Sequence, residues 1–184
     1  MSQAAIERFL NDASPPPDEF LEWQEISIRG THLIAKDAVI RHLVGEAVSN
    51  WAHVTVKPGR FVLSVKLFTD VHGANRIGTF RASALGSSPL RGHQLGEIGV
   101  DWATVGISDY DPYMAAVTAN AKAYEWYADI DLFSLPQGPI GTGSFKDEPI
   151  YYVQSGCGDG IYPAYELVSD GAVVGIECDF HSNR

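Results

Sequence analysis

The sequence predicts an α+β fold built mostly on antiparallel β-structure, arranged as a sandwich or a partly open barrel. Three observations predict it: stretches of alternating apolar residues, Pro-Gly and Asp-Gly turn signals between them, and one long helical pattern near residues 112–128. The chain has 184 residues, of which 45% are hydrophobic and 20% charged, which is typical of a globular protein. We therefore expect a single domain over residues 1–184.

The N-terminal segment, residues 1–20, is expected to form a helical arm. Apolar residues recur at helical spacing over residues 3–10, which predicts a short amphipathic helix. Three prolines at 15–17 end this helix, because proline lacks the amide hydrogen that the helix needs. The proline run is read as a stiff connection to the rest of the domain.

The first half of the domain is predicted to be a β-meander. Its clearest strand runs from Phe61 to Phe68, where apolar and other residues alternate. A second strand is expected over residues 76–84, after a hairpin-like loop at 70–75. One further strand is predicted from Ile98 through Ile107, and alternation would place Asp101 on the opposite face from its neighbours.

The long helix is predicted over residues 112–128. Asp111 is expected to be its N-cap and Pro112 its first-turn proline, and aromatic residues recur at helical spacing after them. A glycine- and proline-rich loop is expected over residues 135–149. Strands then follow at 150–154, 161–168 and 172–180, and Ser169-Asp170-Gly171 predicts a hairpin between the last two.

The charge balance limits the partners. The chain carries 13 basic and 23 acidic side chains, for a formal charge of -10 at pH 7. This charge repels phosphates and anionic lipid headgroups, so neither a nucleic acid nor a membrane is expected as a partner, whereas a basic protein fits. No uncharged apolar run approaches about 18 residues and the first residues lack an apolar leader, so we expect a cytoplasmic protein.

Four short motifs follow one another along the chain. They are an early Gly-x-x-x-Ala-x-Asp element, a Pro-Gly turn, a Val-Asp-x-x-Thr segment and a Gly-Asp-Gly-x-Tyr-Pro hairpin. In this chain they comprise Gly30, Ala35 and Asp37; Pro58, Gly59 and Arg60; Val100, Asp101 and Thr104; and Gly158, Asp159, Gly160, Tyr162 and Pro163. From about residue 26 to its end, the chain thereby resembles the bacterial domain-of-unknown-function family numbered 4241. The resemblance implies a mostly β fold and a bacterial origin, and it supplies no activity or catalytic residue.

The glycine-rich turn of the last motif supplies the candidate site. Glycine reaches positive φ without a Cβ clash, so Gly158 and Gly160 are expected to hold the Asp159 carboxylate on a tight turn. The candidate catalytic residues are Asp101, Asp159 and Cys157. The candidate ligand or partner surface comprises Asp109, Tyr110, Gly158, Asp159, Gly160 and Tyr162.

The two cysteines, Cys157 and Cys178, have no zinc-binding spacing and are expected to be reduced and buried. An alternative makes Cys157 an activated thiolate with His72, His93 or His181 as its base.

No metal and no cofactor are predicted. Aspartates such as Asp109 and Asp159 could contribute to a site for a hard cation, yet no calcium-binding loop follows them, and carboxylates in such places more often close turns and cap helices.

Two functions from different classes remain open. The first is a non-enzymatic protein-binding domain of the immunity-protein type, in which an acidic surface attracts a basic partner. It agrees with the charge and with the lack of a complete catalytic signature. The alternative is a small-molecule or carbohydrate hydrolase that uses Asp101 and Asp159 as paired carboxylates near the Gly-Asp-Gly turn.

Overall fold

A computed structural model describes residues 2–12, 14–38, 51–100, 103–119 and 138–181. These residues form two α-helices and eleven β-strands. In chain order the elements are α1 Gln3–Asn11, β1 Leu21–Ile28, β2 His32–Asp37, β3 Ala52–Thr55, β4 Gly59–Thr69, β5 Asn75–Ala84, β6 Leu90–Val100, β7 Thr104–Asp109, α2 Tyr110–Ala119, β8 Ile140–Phe145, β9 Glu148–Gln154, β10 Gly160–Ser169 and β11 Ala172–Asp179.

The strands form two sheets that pack on each other. The six-stranded sheet has the order β1-β4-β5-β11-β10-β6, and the five-stranded sheet has the order β3-β2-β7-β9-β8. All neighbouring strands are antiparallel. One hydrophobic core contains residues from both sheets, such as Leu63 and Phe80 from the first and Val105 and Ile107 from the second. The fold is therefore mostly antiparallel β with helices, consistent with an α+β sandwich.

Local sequence patterns predicted several elements correctly. The strand expected from Phe61 to Phe68 is the centre of β4, and its alternate residues are buried in the core. The expected hairpin joins β10 to β11, and its central residues Asp170 and Gly171 have φ of 51° and 77°. Two positive φ values are characteristic of a type I′ turn, whose twist matches that of the strands.

The N-terminal helix is also confirmed, and it packs against the sandwich. Ile6 of α1 is fully buried in the core. The side-chain nitrogen of the buried Asn75 lies 2.8–2.9 Å from the carbonyl oxygens of Phe9, Asp12 and Ser14, which share its two N–H donors. A single side chain thus anchors the end of the helix and the start of the proline-containing segment to β5.

The single strand predicted over residues 98–107 is wrong. The chain forms β6 and β7 there, and the two strands belong to different sheets. Between them Ala103 has a φ of 51°, which interrupts the extended conformation. Apolar alternation is the same before and after the crossover, because both strands face one core, so the sequence pattern conceals the break. Asp101 lies outside the described residues.

The second half differs from its prediction in two further places. Helix α2 begins at Tyr110, so Asp111 lies in its first turn and is not its N-cap; residues 120–128 of the predicted helix lie outside the described residues. The loop predicted at 135–149 contains strand β8, which the glycine-rich sequence at 140–145 conceals because glycine is depleted in strands.

The outer faces of the two sheets carry different side chains. Helix α2 covers the five-stranded sheet through Tyr113 and Val117, which pack with Phe145, Ile150 and Tyr152 in a second hydrophobic cluster. The six-stranded sheet instead carries a network of charges. Glu177 on β11 is fully buried and forms ion pairs with Arg81 and Arg91, and Arg91 also reaches Asp179 at 2.8 Å.

Candidate functional site

The predicted site residues fall into two groups, at opposite ends of strand β7. At one end Thr104 pairs with Gln154, close to the turn that contains Asp159. At the other end Asp109 pairs with Leu33 of β2. Strands rise by about 3.3 Å per residue, so the two ends are roughly 17 Å apart. The described members of the predicted site therefore do not converge on a single cleft.

Asp109 and Asp111 together hold the turn between β1 and β2. Asp109 Oδ2 accepts the backbone N–H groups of Arg29 at 2.6 Å and Gly30 at 3.0 Å. Asp111 Oδ2 accepts the N–H of Thr31 at 2.7 Å. We call this pair of carboxylates the aspartate clamp. Three consecutive amides of the turn are bound by it, which is a structural use of both side chains.

Glycine is required inside the aspartate clamp for a steric reason. A Cβ on Gly30 would clash with carboxylate oxygens of both Asp109 and Asp111. The early glycine of the family-like motif thus serves the clamp, through a contact with residues about 80 positions later in the chain. No local sequence signal could have linked them.

A group of rings lies beside the clamp. The ring of Tyr110 stacks on that of His53 with centroids 6.2 Å apart and is 5.9 Å from the ring of His32. His32 Nδ1 lies 2.9 Å from Thr31 Oγ1 and 3.7 Å from Asp111 Oδ1. Within the part of the chain that the structure describes, no three His, Cys, Asp or Glu side chains form a group that could hold a metal ion. The rings form a polar aromatic patch on the surface.

The Gly-Asp-Gly turn lies at the opposite end of β7. Asp159 Oδ1 accepts the N–H of Ala103 at 2.8 Å, and the Ser155 N–H donates to the Ala103 carbonyl at 2.7 Å. These two bonds attach the turn to the crossover between the sheets. Of the two glycines expected to need positive φ, Gly158 has a φ of 86°, whereas Gly160 begins strand β10 in an extended conformation.

Tyr162 lies inside the domain and not on its surface. Its ring is fully buried and packs edge-on against Phe180, with centroids 5.2 Å apart. Its hydroxyl donates to the carbonyl of Gly158 at 2.7 Å, so the side chain supports the turn from below. Burial raises the pKa of the Tyr162 hydroxyl, which keeps it a neutral donor.

The two cysteines have opposite surroundings. Cys178 is buried as expected, and its burial, together with the neighbouring charges of Glu177 and Asp179, raises the pKa of the thiol. Cys157 is exposed, contrary to expectation. It lines a groove of about 510 Å³ together with Phe68, Val71 and Arg76. Of the three histidines considered as its base, His181 contacts Phe68 with its ring tilted by 51° and the ring centroids 4.5 Å apart.

The structure also contains a buried lysine that the sequence patterns did not single out. Lys36 Nζ donates to the carbonyl of Asp37 at 3.0 Å and lies 5.0 Å from the ring centroid of Tyr113. Burial lowers the pKa of Lys36 to about 8. Nearby on β7, the hydroxyl of Ser108 is buried without a hydrogen-bond partner among the described residues. The only sequence signal was a lysine at an alternate position of a buried strand.

None of the described helices is long and apolar enough to cross a membrane. Comparison with known proteins gives no relative: no protein-family model, no curated protein and no solved structure matches the chain.

Proposed function

We propose that this chain is a non-enzymatic protein-binding domain of the immunity-protein type, whose partner is a basic protein. Membership of the bacterial family numbered 4241 and a cytoplasmic location are part of the same proposal, and they rest on the order of the sequence motifs and on the composition.

The observation that carries the proposal is that many described cations are paired with carboxylates of the same chain, whereas several exposed carboxylates are not paired with any described cation. Six of the described cations form ion pairs within the chain. They are Arg29 with Glu148, Arg60 with Glu25, Lys66 with Asp18, Arg76 with Asp70, Arg81 with Glu177, and Arg91 with Glu177 and Asp179. The cations are thus largely compensated by this protein's own carboxylates.

The excess carboxylates face solvent. Glu19, Glu22, Glu97 and Asp147 are exposed, and none of them pairs with a cation among the described residues. An uncompensated negative surface raises the encounter rate with a positively charged partner and disfavours negatively charged ones. This arrangement supports binding of a basic protein more directly than it supports a reaction.

The hydrolase alternative has less support among the described residues. One oxygen of Asp159 accepts the Ala103 amide, and both clamp carboxylates are used by the β1–β2 turn. Asp101, its expected partner, lies outside the described residues, so no carboxylate separation supports a paired-carboxylate mechanism.

Co-expression with a toxin tests the proposal. The probe is a basic toxin-like protein encoded beside the gene for this chain, produced with and without the chain in a bacterial host. We expect the chain to restore growth and to form a complex with the toxin that weakens as salt concentration rises, because salt screens exposed charges. A toxin that still arrests growth and forms no complex at low salt would contradict the proposal.

A further inference from the structure

We propose that the partner docks in a groove between the β5–β6 connection and the β10–β11 hairpin, and that the docking segment carries a lysine or arginine beside an aliphatic side chain. This inference rests on the proposed function and names the surface and the chemistry that it uses. Residues 86–93 and 166–171 supply the lining, and we call it the hairpin groove. Its volume is about 670 Å³, within the range of about 300–1,000 Å³ that is common for ligand-binding clefts.

The hairpin groove has an apolar rim. Leu90 on its wall is 75% exposed, and Leu85, directly before the lining residue Gly86, is 42% exposed. Four large hydrophobic residues are exposed in the part of the chain that the structure describes, and these are two of them. Val168 adds a further apolar surface inside the groove. Exposed apolar residues at the edge of a groove are typical of interaction sites.

Two carboxylates of the groove have no cationic partner among the described residues. Glu166 Oε1 accepts the His93 N–H at 3.3 Å, and Asp170 Oδ2 accepts the hydroxyl of Ser169 at 3.3 Å. The arginine of the lining, Arg91, is already bound to Glu177 and Asp179 on β11. A positively charged side chain from outside would therefore meet two available carboxylates at this place.

The walls of the groove are formed before any partner arrives. At Gly92 a Cβ would lie only 2.8 Å from Glu166 Cγ and 2.9 Å from Val168 Cγ2, so strand β6 packs directly on β10 at this point. On the other side, the type I′ turn at Asp170 and Gly171 holds the hairpin in shape. A preformed groove loses little conformational entropy on binding, which favours affinity.

Side-chain docking fits this region better than addition of a strand to the edge. Strand β6 pairs only with β10 among the described strands, which leaves one edge open. Its register against β10 shifts twice, between Ala164 and Tyr165 and between Tyr165 and Leu167. Such bulges twist an edge strand and disfavour pairing with a further strand.

A labelled peptide of alternating leucine and lysine tests the groove, with fluorescence anisotropy as the readout. The peptide in which glutamate replaces lysine is the probe control, and we expect only the lysine peptide to bind. Glu166→Gln with Asp170→Asn should weaken binding by about tenfold and Asp170→Asn alone by about two- to fivefold, which is the range for exposed charge pairs. Leu90→Ser should weaken it by about tenfold through lost apolar contact.

Two matched variants control for net charge and for exposed apolar area. Asp147→Asn removes the same charge from another exposed hairpin turn with positive φ, here 70°, far from the groove in sequence and on the other sheet. Val71→Ser removes a residue that is 86% exposed at another turn. Both controls should change binding by less than about twofold. The charge of Asp147 is distant and largely screened, and Val71 does not line the hairpin groove. Melting temperatures show that each variant is folded.

Two results would overturn the hairpin groove. In the first, the lysine peptide binds, but Asp170→Asn and Asp147→Asn weaken it equally. In the second, the wild-type chain does not bind the lysine peptide at all. Restoration of growth by co-expression tests the proposed function separately, so a chain that restores growth but fails either peptide test retains the function and loses this docking site.

Discussion

An aspartate carboxylate accepts backbone amides near each end of strand β7, but the two ends differ in how much of the fold depends on it. At the Asp109 end, two carboxylates hold three amides of the β1–β2 turn, and Asp109 is buried. At the Asp159 end, one exposed carboxylate accepts one amide, and the turn is otherwise held by backbone bonds and by Tyr162 beneath it. Burial and the number of donors, rather than the identity of the residue, decide how much structure depends on a carboxylate.

The largest expected effect tests the backbone contacts at the Asp159 end. Gly156 donates its N–H to the carbonyl of Ile77 at 3.1 Å, and a Cβ there would clash with that same carbonyl. Gly156→Ala should therefore lower the free energy of unfolding by about 3 kcal/mol, the upper part of the range for overpacking. Urea denaturation measures it. Gly158→Ala is the control: its Cβ would meet open space, so only the strain of its φ of 86° remains, about 1 kcal/mol. Equal losses in the two variants would show that space at Gly156 is not limiting.

A smaller loss is expected at the other end from Gly30→Ala. The new Cβ would push against both clamp carboxylates, which can move only by giving up their bonds to the turn. We expect a loss of about 2 kcal/mol, since the buried carboxylate of Asp109 and the partly buried amides that it accepts would be left poorly paired. Faster hydrogen exchange at the amides of Arg29 and Thr31 would locate the damage. A stable variant with unchanged exchange would mean that the clamp contributes little.

A buried charge in the middle of the five-stranded sheet extends the comparison, because among the described residues Lys36 donates one hydrogen bond, to the carbonyl of Asp37. Lys36 pairs with Gly106 at the centre of β7, and burial lowers its pKa from 10.5 to about 8. Lys36→Met should raise the free energy of unfolding at neutral pH by about 1–2 kcal/mol, because it removes the cost of burying a charge.

The sign of the pH dependence at Lys36 follows from the direction of its pKa shift. Between pH 8 and 10.5 the unfolded chain keeps the lysine proton and the folded chain releases it, so stability rises with pH in this window. The advantage of Lys36→Met should accordingly shrink from pH 8 to 10.5, as urea denaturation at several pH values would measure. If the stability difference between Lys36→Met and the wild-type chain stays constant from pH 8 to 10.5, burial of the Lys36 charge does not destabilise the fold.

The smallest effects are expected from replacing aspartate by asparagine near each end of strand β7. Asp109→Asn should cost about 1 kcal/mol, because an NH2 group would replace one of the two carboxylate oxygens that the Gly30 N–H contacts. Asp159→Asn should cost less than about 0.5 kcal/mol, since the asparagine oxygen still accepts the Ala103 amide and the side chain is exposed. Paired urea titrations compare them. A larger loss at Asp159 would reverse the ranking and give that carboxylate a role beyond the turn.

Local sequence patterns correctly predicted the elements that are determined by a few consecutive residues. Alternation over Phe61 to Phe68 specified a strand, and Asp170 followed by Gly171 specified the turn that joins β10 to β11. The same reasoning failed at residues 101–103 and in β8, where the deciding factor is the neighbouring sheet. For the candidate site, the sequence identified Asp109 and Asp159 as noteworthy but not that they lie at opposite ends of one strand.

The sequence by itself determined the class of the fold, the N-terminal helix, the β4–β5 and β10–β11 hairpins and the acidic character of the surface. Each follows from properties that a residue carries with it: its polarity, its charge, or the φ values open to it. Only the tertiary structure decided which amides the carboxylates of Asp109 and Asp159 accept, where the charge of Lys36 is buried and which described carboxylates have no described cation beside them. These outcomes depend on residues that are distant in the chain, and on the water that packing removes around them.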